Sequence, residues 1–294
     1  MVLRERISEH VYLFQSEIYA QVNAGVIVGP KWAVVVDTLA LPEETRSMRE
    51  FIARELRVPV RYVILTHYHA DHSWGAYFFP GALVIAHTAC RRLLDTRGRE
   101  ALEKVRQEEP VYQRVKLVLP HITFDRGDVR LRMDQKVTLR LIPLPGHSED
   151  GIGVYVEEDR VLFAGDAFMP LPTFMEGDVD QLVSSLKTMA KIPLENLIPG
   201  HGQVVLRGEI QDAIKSNLKY ISEVRKYVRY SARYRYPGDY LGKVTVEKCG
   251  KSPALLGGVA PHLHRRNIWE FFRRRFGVYP RTSDEEEEAE VEEA

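Results

Sequence analysis

Hydrophobic positions along the chain change their period in blocks, and each block predicts an element. Near the start, apolar residues gather in three short runs: Val11-Tyr12-Leu13-Phe14, Ala24-Gly25-Val26-Ile27-Val28 and Trp32-Ala33-Val34-Val35-Val36-Asp37. Runs of this length, parted by a Gly29-Pro30 turn, predict a meander of strands. Pro42 then opens a stretch with Glu43 and Glu44 in its first turn and Met48, Phe51, Ile52 and Leu56 at helical spacing, which predicts a helix through Leu56. Tyr62-Val63-Ile64-Leu65 and Leu83-Val84-Ile85-Ala86 read as buried strands, and Ala89, Leu93, Leu94, Leu102 and Val105 mark a further helix. Over 122–143 strict alternation returns, with Val129, Leu131 and Met133 facing Val137, Leu139 and Leu141 across an Asp134-Gln135 turn, and predicts a second antiparallel set. A hairpin-like pair follows, Ile152-Gly153-Val154-Tyr155-Val156 with Val161-Leu162-Phe163-Ala164. Beyond it come a helix over 178–191 with Leu182, Val183, Leu186 and Met189 on one face, and a short strand at Leu197-Ile198.

Polar chemistry collects where these strands end. Tyr62-Val63-Ile64-Leu65 runs directly into Thr66-His67-Tyr68-His69-Ala70-Asp71-His72. In an extended chain His67 and His69 point to the same side and can reach one ion. Asp71 and His72 fall where Ser73, Trp74 and Gly75 turn the chain toward a helix, which re-aims them at a second position. Nitrogen and oxygen donors in this mixture suit zinc, iron or manganese. Later strand ends add His147 in Pro145-Gly146-His147-Ser148, Asp166 in Gly165-Asp166-Ala167 and His201 in Pro199-Gly200-His201-Gly202. A single loop histidine is usually just solvated, but a carboxylate closing a buried strand needs a partner. Seven donors suffice for two ions sharing one carboxylate, with positions left for solvent. His87, at the start of a predicted helix, reads as a cap or a supporting residue.

Composition narrows the setting. The chain has 294 residues, 45% of them hydrophobic, and no apolar run approaches the roughly 20 residues of a membrane span. Met1-Val2-Leu3-Arg4-Glu5-Arg6 lacks the apolar core of a secretory signal, so a cytoplasmic location is expected. Cys90 and Cys249 have no C-x-x-C spacing, and neither is nominated as a ligand. Lysine and arginine balance aspartate and glutamate at 41 each, but residues 284–294 carry eight acidic side chains and no basic one. An acidic disordered tail is therefore expected over 281–294, on an otherwise basic body.

The ordered motifs resemble the metallo-β-lactamase superfamily over roughly residues 7 to 210. His67, His69, Asp71 and His72 meet its H-x-H-x-D-H hallmark, and His147, Asp166 and His201 fall on its later ligand motifs. The resemblance implies an α/β fold, a four-layer αββα sandwich with metals at one edge, forming a catalytic domain over 1–208 with a helical C-terminal extension over 209–280. It implies two divalent ions, zinc first and iron or manganese as alternatives. His67, His69 and His147 would hold one ion, Asp71, His72 and His201 the other, and Asp166 both. Asp71 and Asp166 are the expected catalytic carboxylates. A metal-bridging hydroxide would attack a small ester, thioester or lactone, in a layout similar to the hydroxyacylglutathione hydrolase branch. Rival readings are a phosphodiesterase or nuclease, a mononuclear-iron persulfide dioxygenase, and a binding module without catalysis. The expected partner is a small-molecule substrate, with nucleic acid the rival. In the extension, Ile210, Ile214, Leu218, Ile221, Val224 and Val228 predict an amphipathic helix. A second helix carries His262, His264, Arg265, Arg266, Trp269, Phe271 and Phe272 beside Arg273, Arg274 and Arg275. Both are expected to dock on the core and shape substrate entry.

Overall fold

The computed structural model describes residues 2–284, in which thirteen strands form two sheets. The first sheet holds, side by side in chain order, β1 (Val2–Arg6), β2 (Val11–Ser16), β3 (Asn23–Val28), β4 (Ala33–Val36), β5 (Val60–Ile64), β6 (Leu83–His87) and β7 (Ile122–Phe124). Strands β1 to β4 are antiparallel, and β4 to β7 are parallel. Parallel neighbours require crossovers. These are supplied by α1 (Pro42–Phe51), α2 (Ala70–Ser73), α3 (Thr88–Leu93) and α4 (Arg99–Glu108). The second sheet runs in the order β13 (Val205–Leu206), β12 (Asn196–Ile198), β11 (Val161–Phe163), β10 (Ile152–Val156), β9 (Val137–Pro143) and β8 (Val129–Met133). All its pairs are antiparallel except β11 with β12, between which α5 (Val179–Met189) crosses.

The two-residue period of the strands separates three cores. Val11, Leu13, Val34, Val36, Ile64 and Ile85 meet Leu139, Leu141, Val154, Phe163 and Ile198 between the sheets. Their neighbours Phe14, Ala33, Val35, Val63 and Val84 face outward onto Met48, Ile52, Leu93 and Leu94 of the first helical layer. On the far side Ile142, Tyr155, Leu162 and Leu197 face Leu182, Leu186 and the C-terminal helices. Helix, sheet, sheet, helix is the resulting order of layers.

Those C-terminal helices are α6 (Arg207–Ser231), α7 (Pro237–Gly242) and α8 (Ala260–Phe276). Ile210, Ile214, Ile221, Val224, Val228, Ile268 and Phe272 share one continuous core with the second sheet. A buried polar knot fixes them: His264 Nε2 donates to the Val244 carbonyl at 3.0 Å, so its Nδ1 accepts from the Tyr220 hydroxyl at 3.0 Å. Asn267 donates to that same hydroxyl oxygen and to the Pro172 carbonyl, and its Oδ1 accepts from Phe174 N. Asn217 donates to the Met169 carbonyl at 2.9 Å. The extension thereby fastens the loop over 168–177, which reaches the site described below.

Three details depart from the periodicity. The helix expected through Leu56 is α-helical to Phe51, and its last turn, Ile52–Leu56, widens to π geometry before ending at Arg57 with φ 54°. Ile122–Phe124 leaves the second antiparallel set and lies parallel to β6 instead, because three residues carry no period that would assign them to a sheet. β1 was not anticipated; it is an edge strand whose apolar Leu3 is 45% exposed. At the C-terminal end, Arg281 accepts from Gly238 N and Ser283 N donates to Asp239, so residues 281–284 lie against α7. The rest of the expected acidic tail lies outside the described residues.

Candidate metal centre

All the chemically distinctive residues sit just past strand ends on one edge of the sandwich. β5 leads into Thr66 and His67, β9 leads through Pro145 and Gly146 to His147, β11 leads to Asp166, and β12 leads to His201. Loops at strand ends can place side chains from distant parts of the sequence together while the buried sheets keep them rigid.

Two groups of donors converge there. His67, His69, His147 and Asp166 offer ligand atoms within 4.8 Å of one another, and so do Asp71, His72 and His201. In the first group His69 Nδ1 lies 3.0 Å from both His67 Nε2 and His147 Nε2, and Asp166 Oδ2 lies 3.3 Å from His147 Nε2 and 3.9 Å from His67 Nε2. The other oxygen of Asp166 faces the second group, 3.3 Å from His72 Nε2 and 3.6 Å from His201 Nε2. Asp71 Oδ2 closes that group at 3.3 Å from His201 Nε2 and 3.9 Å from His72 Nε2. Donors about 2.0–2.1 Å from a tetrahedral ion stand about 3.3 Å from each other, so these separations suit an ion at the middle of each group. His72 Nε2 and Asp166 Oδ1 are both buried and make no hydrogen bond. Buried polar atoms left this way are costly, and a shared cation would satisfy them.

The opposite side of each ring is anchored. His72 Nδ1 donates to Asp37 Oδ2 at 2.9 Å, and Asp37 also accepts from Thr66 N and Thr66 Oγ1, each at 2.7 Å. Thr66 Oγ1 then lies 3.1 Å from His67 Nδ1. His201 Nδ1 donates to the Ala20 carbonyl at 2.9 Å, and His147 Nδ1 faces the carbonyl and hydroxyl of Thr173 at 3.1 and 2.8 Å. His69 Nε2 faces Glu176 Oε2 at 3.3 Å, and Tyr68 donates its hydroxyl to the same carboxylate. Anchoring one nitrogen fixes the tautomer and aims the other as a free lone pair, the usual support for a metal-binding imidazole.

Charge divides the two groups. Burial, reinforced by the neighbouring His72 and His69 rings, holds His67 well below the usual histidine range. Burial likewise takes His147 down to about 4 against the pull of Asp166. Burial also opposes the charged form of His201, but Asp166 and Asp71 outweigh it and push its pKa up to about 10. His72 is raised in the same way, with Asp71, Asp166 and Asp37 overcoming burial. Against burial, the rings around Asp71 and Asp166 keep both carboxylates ionised: chiefly His72 and His201 for Asp71, and chiefly His201, His72 and His147 for Asp166. His69 differs from its two neighbours: burial opposes its charged form, but Glu176, Asp71 and Asp166 outweigh it and raise its pKa. Without an ion the second group is therefore an imidazolium–carboxylate cluster, while the first holds two neutral rings, His67 and His147, beside the raised His69.

Two glycines permit this crowding. A Cβ on Gly200 would overlap Asp166 Oδ1, and one on Gly146, where φ is +133°, would overlap the backbone of Leu182. The glycine-flanked histidines of the sequence thus reflect close approach as well as turning.

The seven nominated donors are all brought together. His87 is placed elsewhere: it caps α3, its Nδ1 accepting from Ala89 N at 3.1 Å. His264 is locked in the knot of the extension, and His262 is exposed. Sequence reasoning missed Asp37, Thr173 and Glu176. It also missed Tyr19, whose phenol is pushed up to about 12, first by the Asp71 charge and then by burial. Asp37 carried a usable signal, since it too is an aspartate closing a buried strand.

An αββα sandwich with such a His/Asp cluster on one edge is the setting of a candidate divalent-metal site. The family model for the metallo-beta-lactamase superfamily matches residues 19–201, more than half of the chain, and the chain belongs to that superfamily. It is 24% identical over 172 residues to the Beta-lactamase-like protein 2 homolog of Caenorhabditis elegans, covering 58% of this chain and 52% of that protein. It is 25% identical over 188 residues to the Lactamase-like protein aptB of Emericella nidulans, covering 64% and 52%. The chain thus spans about half the length of these curated relatives. Among solved structures, a metallo-beta-lactamase from Pontibacter korlensis superposes with a TM-score of 0.59 at 19% identity, covering 73% of this chain and 99% of that one. The sec-alkylsulfatase Pisa1 from Pseudomonas sp. reaches 0.75 at 15% identity, covering 95% and 51%. At that coverage the shared fold extends into the α6–α8 layer. Among the described residues no helix is long and apolar enough to cross a membrane.

Proposed function

We propose that the chain is a dinuclear metallohydrolase of small esters, thioesters or lactones. The observation that carries this reading is Asp166, whose two oxygens each face a separate group of histidines. His67, His69 and His147 would hold one ion, Asp71, His72 and His201 the other, and Asp166 would be shared by both. An all-nitrogen-and-oxygen donor set without thiolate suits zinc, with iron or manganese as substitutes. Bound there, the ions supply the Lewis acidity that makes water nucleophilic near neutral pH and polarises an acyl carbonyl.

The chain's own residues then orient and select. Asp71, ionised and beside His201, accepts the hydrogen bond that directs the nucleophile. A cavity of about 240 Å³ lies beside His69, lined in part by Tyr68, Leu93, Arg97, Ser148 and Glu176. That is below the 300–1,000 Å³ typical of drug-sized ligands and fits a small acyl group.

Residues 1–208 serve as the catalytic unit and 209–280 as a docked layer that holds the 168–177 loop. A cytoplasmic setting accords with Cys90 and Cys249 both being buried free thiols. Metal analysis followed by kinetics on an ester, thioester, lactone and phosphodiester panel tests the proposal. Turnover of the acyl substrates with two ions per chain supports it. Turnover of the phosphodiester alone moves the protein to the nuclease class.

A further inference from the structure

A second cavity, larger than the one lined by Tyr68 and Glu176, lies away from the metal centre. It has a volume of about 670 Å³, lies where the start of α5 meets α6 and α8, and includes none of the seven metal donors in its lining. Arg225 and Arg229 reach it from α6, and Arg274 and Arg275 from α8. Four guanidinium groups around one space repel each other unless acids or a ligand neutralise them.

The acids present do so only in part. Asp180 pairs with Arg225 at 2.6 Å, and Asp178 is engaged as the cap of α5, accepting from Gln181 N at 2.8 Å. Glu270 pairs with Arg274 at 2.7 Å from behind the cavity, and Arg274 also donates to the Met175 and Gly177 carbonyls. Among the described residues no carboxylate lies within ion-pair distance of Arg229 or Arg275, and the buried Nε of Arg225 makes no hydrogen bond. Val179 and Asp180, in the first turn of the eleven-residue α5, line the same space, and their amides have no carbonyl to bond within their helix. Phe271 supplies an apolar wall.

We propose that this cavity is a binding site for a small organic oxyanion of the diphosphate class, separate from the metal centre. Planar guanidinium forks match phosphate oxygens two at a time, and amides at a helix start add donors aimed at the same charge. The volume exceeds what inorganic phosphate needs, and the phenylalanine wall accepts the organic part, so a nucleoside diphosphate is a suitable probe.

The experiment titrates ADP and pyrophosphate into the full-length, metal-loaded protein by calorimetry. It compares the native chain with the double variant Arg229→Ala/Arg275→Ala and with Asp166→Asn. The site predicts that the double variant weakens both probes at least tenfold while its metal content and thermal midpoint stay unchanged, and that Asp166→Asn binds them as the native chain does. Equal binding by the double variant overturns the proposal. Loss of binding in Asp166→Asn alone overturns it as well, by placing the probe at the metal centre. Binding of single-stranded RNA that depends on Arg229 and Arg275, with no binding of either probe, replaces it with a nucleic-acid surface. A failure of acyl hydrolysis leaves these binding outcomes readable, because none of them uses turnover.

Discussion

Asp37 holds His72 by its Nδ1 at 2.9 Å and thereby turns the opposite nitrogen, Nε2, toward Asp166, 3.3 Å away. Neither residue is near the other in sequence; β4 and β5, paired in parallel, set them side by side. Asp37 adopts φ 56°, a left-handed conformation that aspartate tolerates better than most residues. Asp37→Ala is expected to lower affinity for the ion at Asp71, His72 and His201 about 10–100-fold, the usual effect of removing an outer partner of a ligand histidine. A competition titration against a chelator reads this directly, and unchanged affinity would refute the orienting role.

The charge difference between the groups predicts ordered metal loss on acidification. Ligand imidazoles must be neutral to bind. His147, with a pKa of about 4, is already neutral at pH 6, whereas His201, raised to about 10, must release a proton at any pH below that. Affinity at the second group, where His72 and His201 are both raised, therefore rises with pH up to about 10, while the first group, where His69 alone is raised, depends on pH less steeply. Dialysis at pH 8, 7, 6 and 5 with metal analysis at each step should show one ion leaving before the other. Simultaneous loss would argue against the division.

Gly200→Ala should disturb the bridging carboxylate. The added methyl must displace Asp166 Oδ1 and also comes within 2.8 Å of the Gly165 carbonyl carbon and 2.9 Å of Asp166 N, so the end of β11 must shift with it. The expected result is a folded protein, by circular dichroism, with reduced metal content and little activity. Full metal content in this variant would mean that Asp166 can move without cost.

How far the sequence revealed this site depended on the kind of atom involved. His67, His69, Asp71, His72, His147, Asp166 and His201 were legible because each is an unusual residue at the end of an apolar run. The anchor of His201 is the carbonyl of Ala20, a backbone atom in a turn, and carries no residue-type signal. Thr173 and Glu176 lie on a loop held by Asn217 and Asn267, some forty to ninety residues later in the chain, so their placement follows from docking of the extension. The sheets were legible where alternation ran for five residues or more, as in β8 and β9, and failed at the three-residue β7.

The extension offers a pH test of its own. Burial lowers Lys251 to about 8 from 10.5, and its ammonium donates to Asn217 Oδ1 at 2.6 Å. Between pH 8 and 10.5 the unfolded chain binds more protons at this residue than the folded one, so its contribution makes stability rise with pH through that window. Lys251→Met removes the contribution. Urea midpoints from pH 7.5 to 10.5 should rise less steeply in the variant than in the native chain, and parallel curves would show that Lys251 is not desolvated.

The central claim is that Asp166 joins two metal positions, and counting ions tests it most directly. Elemental analysis of protein purified without chelator should find close to two divalent transition-metal ions per chain, and Asp166→Ala should bring that number below one. One iron per chain in the native protein, or an Asp166→Ala variant that keeps both ions, would contradict the account.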